Sequence, residues 1–324
     1  NKNIILIHIT MKFLDYVYTI PKKFKKLSIW VKLIIFFIVI LCLIQVSKDL
    51  KKKVFVETFS GQEEGFIVKR DEEVYDDFYA GIYDDLVLTP SKNNYELDQV
   101  ISITKMNSNS MVLDVGSGTG HHVNSLNTKG ITCEGLDNSK AMVTKAKSTF
   151  SSSSFKHGDV NSSMTYSQES FTHITCFYFT IYYLQNKMPF FQNCFKWLKP
   201  GGYLVIHLVN KNKFSPLLPV SDPINVVNVQ KYSKDRVNKS VAKFKDFSYK
   251  SEFNREAGNR YKFKELMKFD SDSKIRVNEH MLHMDSQSNI LSVAKDAGFI
   301  MLKKIDLLNC NYDDQYLYVL QKPN

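Results

Sequence analysis

The 324-residue sequence predicts an α/β protein with a doubly wound, mostly parallel sheet, a small antiparallel β insertion and one preceding transmembrane helix. Predicted strands and helices alternate between residues 111 and 209, which is typical of βαβ units with parallel strands. After residue 210, charged and aromatic residues alternate, as in antiparallel strands with one solvated face. Every residue from Leu33 to Ile44 is apolar, and this run predicts the membrane-spanning helix.

The predicted transmembrane helix covers about residues 27–46 and is interrupted only by Ser28, Lys32 and Gln45. A buried core helix is the alternative, but lysines flank both ends and no amphipathic period is visible. Residues 1–53 contain eleven lysines and two aspartates, and so carry nine of the ten net positive charges. Because the basic excess accompanies the apolar run and not the folded domain, we expect a membrane partner and no nucleic acid.

The chain divides into five predicted segments by residue composition and pattern. The predicted segments are an N-terminal segment, a linker, a core, an insert that caps the substrate, and a closing helix and strands: residues 1–53, 54–73, 74–210, 211–283 and 284–324. The insert has 16 Lys and Arg against 9 Asp and Glu, which predicts a basic surface for an anionic small-molecule substrate. A solvated charged face is an equally good interpretation.

The five cysteines favour a reducing compartment. Their number is odd, they are widely spaced, and no Cys-x-x-Cys pair occurs. Neither a disulfide framework nor a metal site is therefore predicted.

A glycine-rich loop follows the first predicted core strand, in the run Asp114-Val115-Gly116-Ser117-Gly118-Thr119-Gly120. Alternate glycines permit a sharp turn and let a ligand approach the backbone. The spacing is G-x-G-x-G with Asp114 inside the strand, whereas dinucleotide dehydrogenases show G-x-G-x-x-G. The candidate cofactor residues here are Asp114, Gly116, Ser117, Gly118 and Gly120, and a nicotinamide oxidoreductase is the less favoured alternative.

Two further acidic residues follow the next two predicted strands. Asp137, with Asn138 beside it, ends the second strand, where a carboxylate can accept hydrogen bonds from ribose hydroxyls. Asp137 or Ser139 acting as an N-cap for the following helix is the alternative, and both roles are compatible. Asp159 and Val160 follow the third strand, where they are placed to contact an adenine ring, although Gly-Asp also suits an ordinary turn.

Together these elements resemble the class I, Rossmann-like S-adenosylmethionine-dependent methyltransferases of the small-molecule type, over residues 75–210. Lys199-Pro200-Gly201-Gly202 is similar to the turn before that family's fifth strand. The resemblance implies S-adenosyl-L-methionine as cofactor, with the glycine loop at the methionine, Asp137 at the ribose and Asp159 at the adenine.

The resemblance extends to features outside the cofactor loop. Tyr79 or Tyr83 is similar to a tyrosine that closes over the cofactor in some members. Residues 211–283 resemble the antiparallel insertion of sugar and glycine N-methyltransferases. From the three cofactor motifs and the basic insert we expect a small or lipid-like acceptor, with an amino sugar as one candidate. His173 departs from the family pattern, in which an acid is frequent at this position.

Methyl transfer is an in-line displacement that depends mainly on proximity and alignment. If the acceptor is an amine or a hydroxyl, a base assists. His207, at the predicted substrate end of a central strand, is the first candidate; Tyr178, Tyr182, Tyr183 and His280 follow. A packing role is the alternative for each of these side chains.

The sequence as a whole predicts a membrane-tethered methyltransferase. Residues 54–324 are expected in the cytosol, because the implied cofactor is made there and the cysteines are unpaired. The alternative is a membrane-anchored binding or scaffold protein that keeps the fold without transferring methyl groups.

Overall fold

The computed structural model describes residues 28–42, 66–219, 230, 233, 235–272 and 274–324. Two compact units are present, Asn1–Gln62 and Glu63–Asn324. In the first unit, residues 29–42 form a helix (α1) whose apolar side chains are largely exposed. Within the described ranges, no helix is both long enough and apolar enough to cross a membrane. Residues 27 and 43–46 of the predicted span lie outside those ranges.

The second unit contains a seven-stranded core sheet. Its strands are β2 (Met111–Val115), β3 (Thr132–Asp137), β4 (Ser154–His157), β5 (Phe171–Cys176), β6 (Leu198–Val209), β11 (Ile300–Asp306) and β12 (Gln315–Gln321). Their spatial order is β11-β12-β6-β5-β2-β3-β4. The five strands β2 to β6 run parallel, whereas β12 pairs antiparallel with both β6 and β11. The predicted mostly parallel α/β sheet is confirmed.

In the part of this unit that the structure describes, seven helices connect the strands or cover the sheet. They are α2 (Asp77–Val87), α3 (Pro90–Thr104), α4 (His121–Thr128), α5 (Lys140–Thr149), α6 (Thr180–Tyr183), α7 (Met188–Trp197) and α8 (Gln287–Asp296). Pro90 begins α3, because the first turn of a helix needs no N–H from proline. Leu113 and Trp197 are fully buried, as expected for a sheet that is covered by helices.

The insert forms a second sheet of its own. Its antiparallel strands are β7 (Lys239–Lys243), β8 (Phe247–Ala257), β9 (Arg260–Phe269) and β10 (Ile275–His283). The predicted linker 54–73 contributes the edge strand β1 (Phe66–Arg70), which pairs parallel with β10. Backbone groups at the edge of β10 need partners, and the β-branched Ile67 and Val68 suit a strand, so this part of the linker is ordered structure. Residues 54–65 are not described.

Candidate active site

A cavity lies at the carboxyl ends of the parallel strands, where open α/β sheets bind their ligands. The glycine loop after β2 forms one wall, α2 and the segment after β5 form others, and the insert sheet closes it. The sequence-predicted site residues that line this cavity are Tyr79, Tyr83, Asp114, Gly116, Ser117, Gly118, Tyr178, Tyr183 and His280. The structure therefore brings the glycine loop and one histidine of the insert to a single space.

The glycine loop has the bare backbone that its spacing predicted. Gly116, Gly118 and Gly120 have φ angles of +68°, +54° and +90°, which favour glycine. A Cβ at Gly116 would overlap the Thr180 side chain, whereas a Cβ at Gly118 would meet only the Tyr83 ring, at 3.8 Å. Space for a ligand therefore exists beside Gly118, with Tyr83 opposite.

Asp114 is a buried carboxylate in the cavity wall. One of its oxygens accepts a hydrogen bond from the Thr175 hydroxyl at 2.7 Å, and burial raises the pKa of Asp114 to about 6. The other acceptor positions suit an ammonium group, which the methionine part of S-adenosylmethionine carries. The residues present therefore fit this end of the cofactor.

Asp137 is attached to the glycine loop. Its Oδ2 accepts from the Gly118 N–H and its Oδ1 from the Ser139 N–H, both at 2.8 Å. Ser139, and not Asp137, caps α5 by accepting from the Met142 N–H. A carboxylate has about four lone-pair directions, so Asp137 retains positions for ribose hydroxyls. Its burial raises its pKa.

The other predicted cofactor residues lie outside the enclosed cavity. Asp137 and Asp159 are not in its lining; Asp159 is exposed and accepts from the Asn161 N–H at 2.8 Å. Val160 is buried, and Asn138 is exposed with its carbonyl oxygen 3.0 Å from His157 Nε2. Because β2, β3 and β4 are neighbours, these residues extend the site along successive strand ends. Ribose and adenine contacts remain predictions.

The segment before the core is tied to the glycine loop. Asp84 of α2 accepts from the Thr119 hydroxyl at 2.6 Å and lies 2.9 Å from His121 Nε2. Burial opposes ionisation of Asp84, but the hydrogen bonds from His121 and Thr119 keep its pKa below the ordinary value. These bonds hold α2 over the loop, so the tyrosines of this segment face the cavity.

His280 is the centre of a hydrogen-bonded series. Its Nε2 is 3.0 Å from Oε2 of Glu265 and its Nδ1 is 2.9 Å from the Tyr183 hydroxyl. The Tyr75 hydroxyl donates to the Tyr183 hydroxyl at 2.8 Å. Both tyrosines and His280 line the cavity. The series therefore leads from Glu265, through the histidine, to the wall of the site.

Glu265 is fully buried at one end of this series. Besides His280, it accepts hydrogen bonds from Tyr249 at 2.6 Å, from Tyr79 at 3.1 Å and from Asn278 at 3.1 Å. Burial would raise the pKa of Glu265, but the hydrogen bond and charge of His280, and then the other donors, lower it. Because an ionised carboxylate only accepts, Nε2 of His280 carries a proton, and whenever the imidazole is neutral its Nδ1 accepts from the Tyr183 hydroxyl.

The structure does not bring His207, the first base candidate, to the cavity. It is fully buried in β6, its Nδ1 is 2.9 Å from the Tyr178 carbonyl oxygen, and burial lowers its pKa to about 4. Tyr178 lines the cavity, but its hydroxyl donates to the Val87 carbonyl oxygen at 3.1 Å and burial raises its pKa. Tyr182 is also buried, and its hydroxyl oxygen accepts a hydrogen bond from the Val209 N–H at 2.8 Å. His280 is therefore the candidate with the geometry of a base.

Sequence reasoning missed Glu265 and the role of Tyr75. Alternate residues of β9 point to one side, and Tyr261, Glu265 and Met267 are buried there. An acidic residue among apolar residues on that side was the available signal. Its partners come from α2, β8 and β10, and no local pattern relates those segments.

Comparisons with known proteins agree with this geometry. A family model described as a methyltransferase domain matches residues 113–206. Together with the Rossmann-like fold, this match defines the class as a methyltransferase domain over these residues, and the site described above fits S-adenosylmethionine.

One relative is similar in sequence to part of this chain. Phosphoethanolamine N-methyltransferase of Plasmodium falciparum is 32% identical over 120 residues, which is 33% of this chain and 42% of that protein. The chain thus matches about two-fifths of that relative's length.

Solved structures share the fold at low identity. The S-adenosylmethionine-bound amino pentose methyltransferase CalS10 of Micromonospora echinaspora has a TM-score of 0.54 at 18% identity, covering 76% of this chain and 96% of that one. The sugar N-methyltransferase KedS8 of a Streptoalloteichus species has a TM-score of 0.56 at 17% identity, covering 82% and 98%.

The glycine loop yields a test of the cofactor site. Gly116→Ala places a Cβ against Thr180 at a positive φ, so we expect S-adenosylmethionine affinity to fall by roughly tenfold or more. Gly81→Ala is the matched control, because nothing lies within 4 Å of its added Cβ. Isothermal titration of both variants measures the effect. Equal affinity of the Gly116 variant and the unaltered protein would contradict this account of the loop.

Proposed function

We propose that this chain is an S-adenosylmethionine-dependent methyltransferase that methylates a nitrogen or oxygen atom of a small-molecule or lipid-like acceptor. One observation carries the proposal: the hydrogen-bonded series from Glu265 to Tyr75 and the glycine loop end in the same cavity. This arrangement supports neighbouring binding places for cofactor and acceptor and a route for the proton of the acceptor.

The bound cofactor supplies an electrophilic methyl group on sulfur. The glycine loop, Asp114 and Asp137 orient it, and the cavity walls exclude water from the reacting atoms. The acceptor atom loses a proton to the hydrogen-bonded pair of Tyr75 and Tyr183. At the same time, Tyr183 passes its own proton to Nδ1 of His280. Burial raises the pKa of both Tyr75 and Tyr183, so each hydroxyl stays protonated except during this exchange.

An amine is the favoured acceptor. Phosphoethanolamine N-methyltransferase and the sugar N-methyltransferase KedS8 are both named for methylation of nitrogen. An amine is a cation at neutral pH and must lose a proton before attack, which gives the His280 series a task. The amine of an amino sugar is one candidate acceptor.

Cofactor binding and turnover test the proposal directly. Isothermal titration of the full chain with S-adenosylmethionine is expected to give a dissociation constant well below 1 mM. KM values of enzyme substrates are typically between roughly 1 μM and 1 mM. Radiolabelled cofactor and fractionated metabolites and lipids then report transfer. Absence of binding at millimolar cofactor would refute the proposal.

The same screen also distinguishes the enzyme from the alternative, a binding or scaffold protein. Cofactor binding without labelled product in any fraction would favour the binding or scaffold protein over the enzyme.

Glu265→Gln tests the role of the buried carboxylate in positioning His280. The amide no longer requires the proton on Nε2, so we expect kcat to fall by roughly 100-fold, with a changed pH profile and an unchanged cofactor affinity. Steady-state rates between pH 6 and pH 9, with the acceptor from the screen, measure this. The exposed Glu256→Gln on the neighbouring strand is the control.

Kinetic constants and thermal unfolding distinguish the positioning role of Glu265 from acceptor binding and from loss of structure. A variant with a raised KM and an unchanged kcat would assign Glu265 to acceptor binding or folding. Thermal unfolding of both variants identifies loss of structure, which would lower cofactor affinity along with the rate.

We also propose that residues 27–46 anchor the protein in a membrane, with residues 54–324 in the cytosol. The apolar run from Leu33 to Ile44 and the lysines on both flanks support this. Anchoring would hold the enzyme near lipid-like acceptors.

Flotation with phospholipid vesicles tests the anchor. The full chain is expected to float with the vesicles and to resist extraction at alkaline pH. A variant with Ile35, Phe37 and Val39 replaced by Asp is expected to stay in the soluble fraction, because charges inside the bilayer are costly. Equal behaviour of the two proteins would exclude a membrane-spanning role for this segment.

A further inference from the structure

One part of the cavity is apolar. Beyond the tyrosines and His280, its walls are formed by Phe179, Phe214, Leu217, Phe253 and Leu282. The ring centroids of Phe179 and Phe214, and of Phe214 and Phe253, are each 5.5 Å apart. These side chains leave a compartment whose surface favours hydrocarbon over water.

No lysine or arginine lines the cavity among the residues that the structure describes, whereas Asp84 and Asp114 do. Cations nearby are already bound to other groups. Lys187 Nζ is 2.8 Å from Asp285, and Arg236 donates to two backbone carbonyl oxygens while its guanidinium lies 4.6 Å from the centre of the Phe214 ring. Among the residues of the insert that the structure describes, the positive charges therefore do not reach these walls.

Aromatic rings surround the point where the hydrogen-bonded series meets the cavity. The rings of Tyr75, Tyr79, Tyr183 and Phe263 have centroids 5.8, 6.1, 6.0 and 5.5 Å from that of His280. Aromatic faces attract ammonium groups and offer nothing to an anion. A phosphate or carboxylate buried here would lose its hydration without a charged partner.

Building on the function proposed above, we infer that the acceptor is an amine with an apolar body and without an acidic group. Its nitrogen lies among the aromatic rings beside Tyr183, and its hydrocarbon part occupies the compartment around Leu217. This differs from the anionic substrate that the charge of the insert had suggested, and from the phosphate-bearing substrate for which the Plasmodium relative is named.

Calorimetric titration of two amines tests the inference. Decylamine, below its micelle concentration, and phosphoethanolamine are each titrated into the full chain saturated with S-adenosylhomocysteine. Decylamine is expected to bind at least roughly 100-fold more tightly, because several methylene groups leave water. Equal or tighter binding of phosphoethanolamine overturns the inference.

A matched pair of variants separates the compartment from adsorption elsewhere. Leu217→Lys places a charge in the half-buried wall and is expected to weaken decylamine binding by roughly tenfold or more. Leu302→Lys makes the same change on the exposed β11 strand and is expected to have no effect. Decylamine binding that is equal in the two variants overturns the inference.

Binding of S-adenosylhomocysteine, the product of the cofactor, tests the proposed function independently of the inferred acceptor. If S-adenosylhomocysteine binds and neither amine does, the inferred acceptor class is wrong while the methyltransferase proposal stands. If S-adenosylhomocysteine itself does not bind, the proposed function fails and the inferred acceptor falls with it.

Discussion

A charged group without solvent contact must be satisfied by the protein, and Glu265 imposes this constraint on the insert. Its two oxygens accept from Tyr79, Tyr249, Asn278 and His280. The donors come from α2, β8 and β10, so one carboxylate joins the segment before the core to two strands of the insert. It also selects the tautomer of His280, and hence the direction in which a proton can move.

The cofactor side of the site depends on backbone conformation more than on side chains. Three positive φ angles and the bond from Gly118 N–H to Asp137 keep the strand ends at a fixed distance from one another. Asp84 adds the tie from α2 to the loop. Because the tyrosines of this segment also belong to the cavity that His280 reaches, the cofactor and acceptor sides share a wall.

Charge measured over a whole segment did not describe the charge inside the cavity. The insert is basic in total, yet the cationic side chains near the site are engaged by carboxylates and carbonyl oxygens, and the described lining holds carboxylates and aromatic rings. Net charge bears on solvation and on long-range attraction, whereas recognition depends on the few groups that face the ligand. A hydrophobic amine agrees with the groups that face the cavity, and not with the net charge of the insert.

The sequence by itself determined the α/β core, the glycine loop after β2 and the acids that follow the next two strands, because periodicity and turn chemistry are local properties. Only the tertiary structure decided that Phe66–Arg70 joins the insert sheet, that His207 is buried away from the cavity, and that Glu265, His280, Tyr183 and Tyr75 form one series. The pairing of Phe66–Arg70 with β10 and the bonds of Tyr183 to Tyr75 and His280 join residues about 100 to 200 positions apart along the chain. No local pattern in a single sequence records which distant side chains will meet, since that is fixed by how the elements pack.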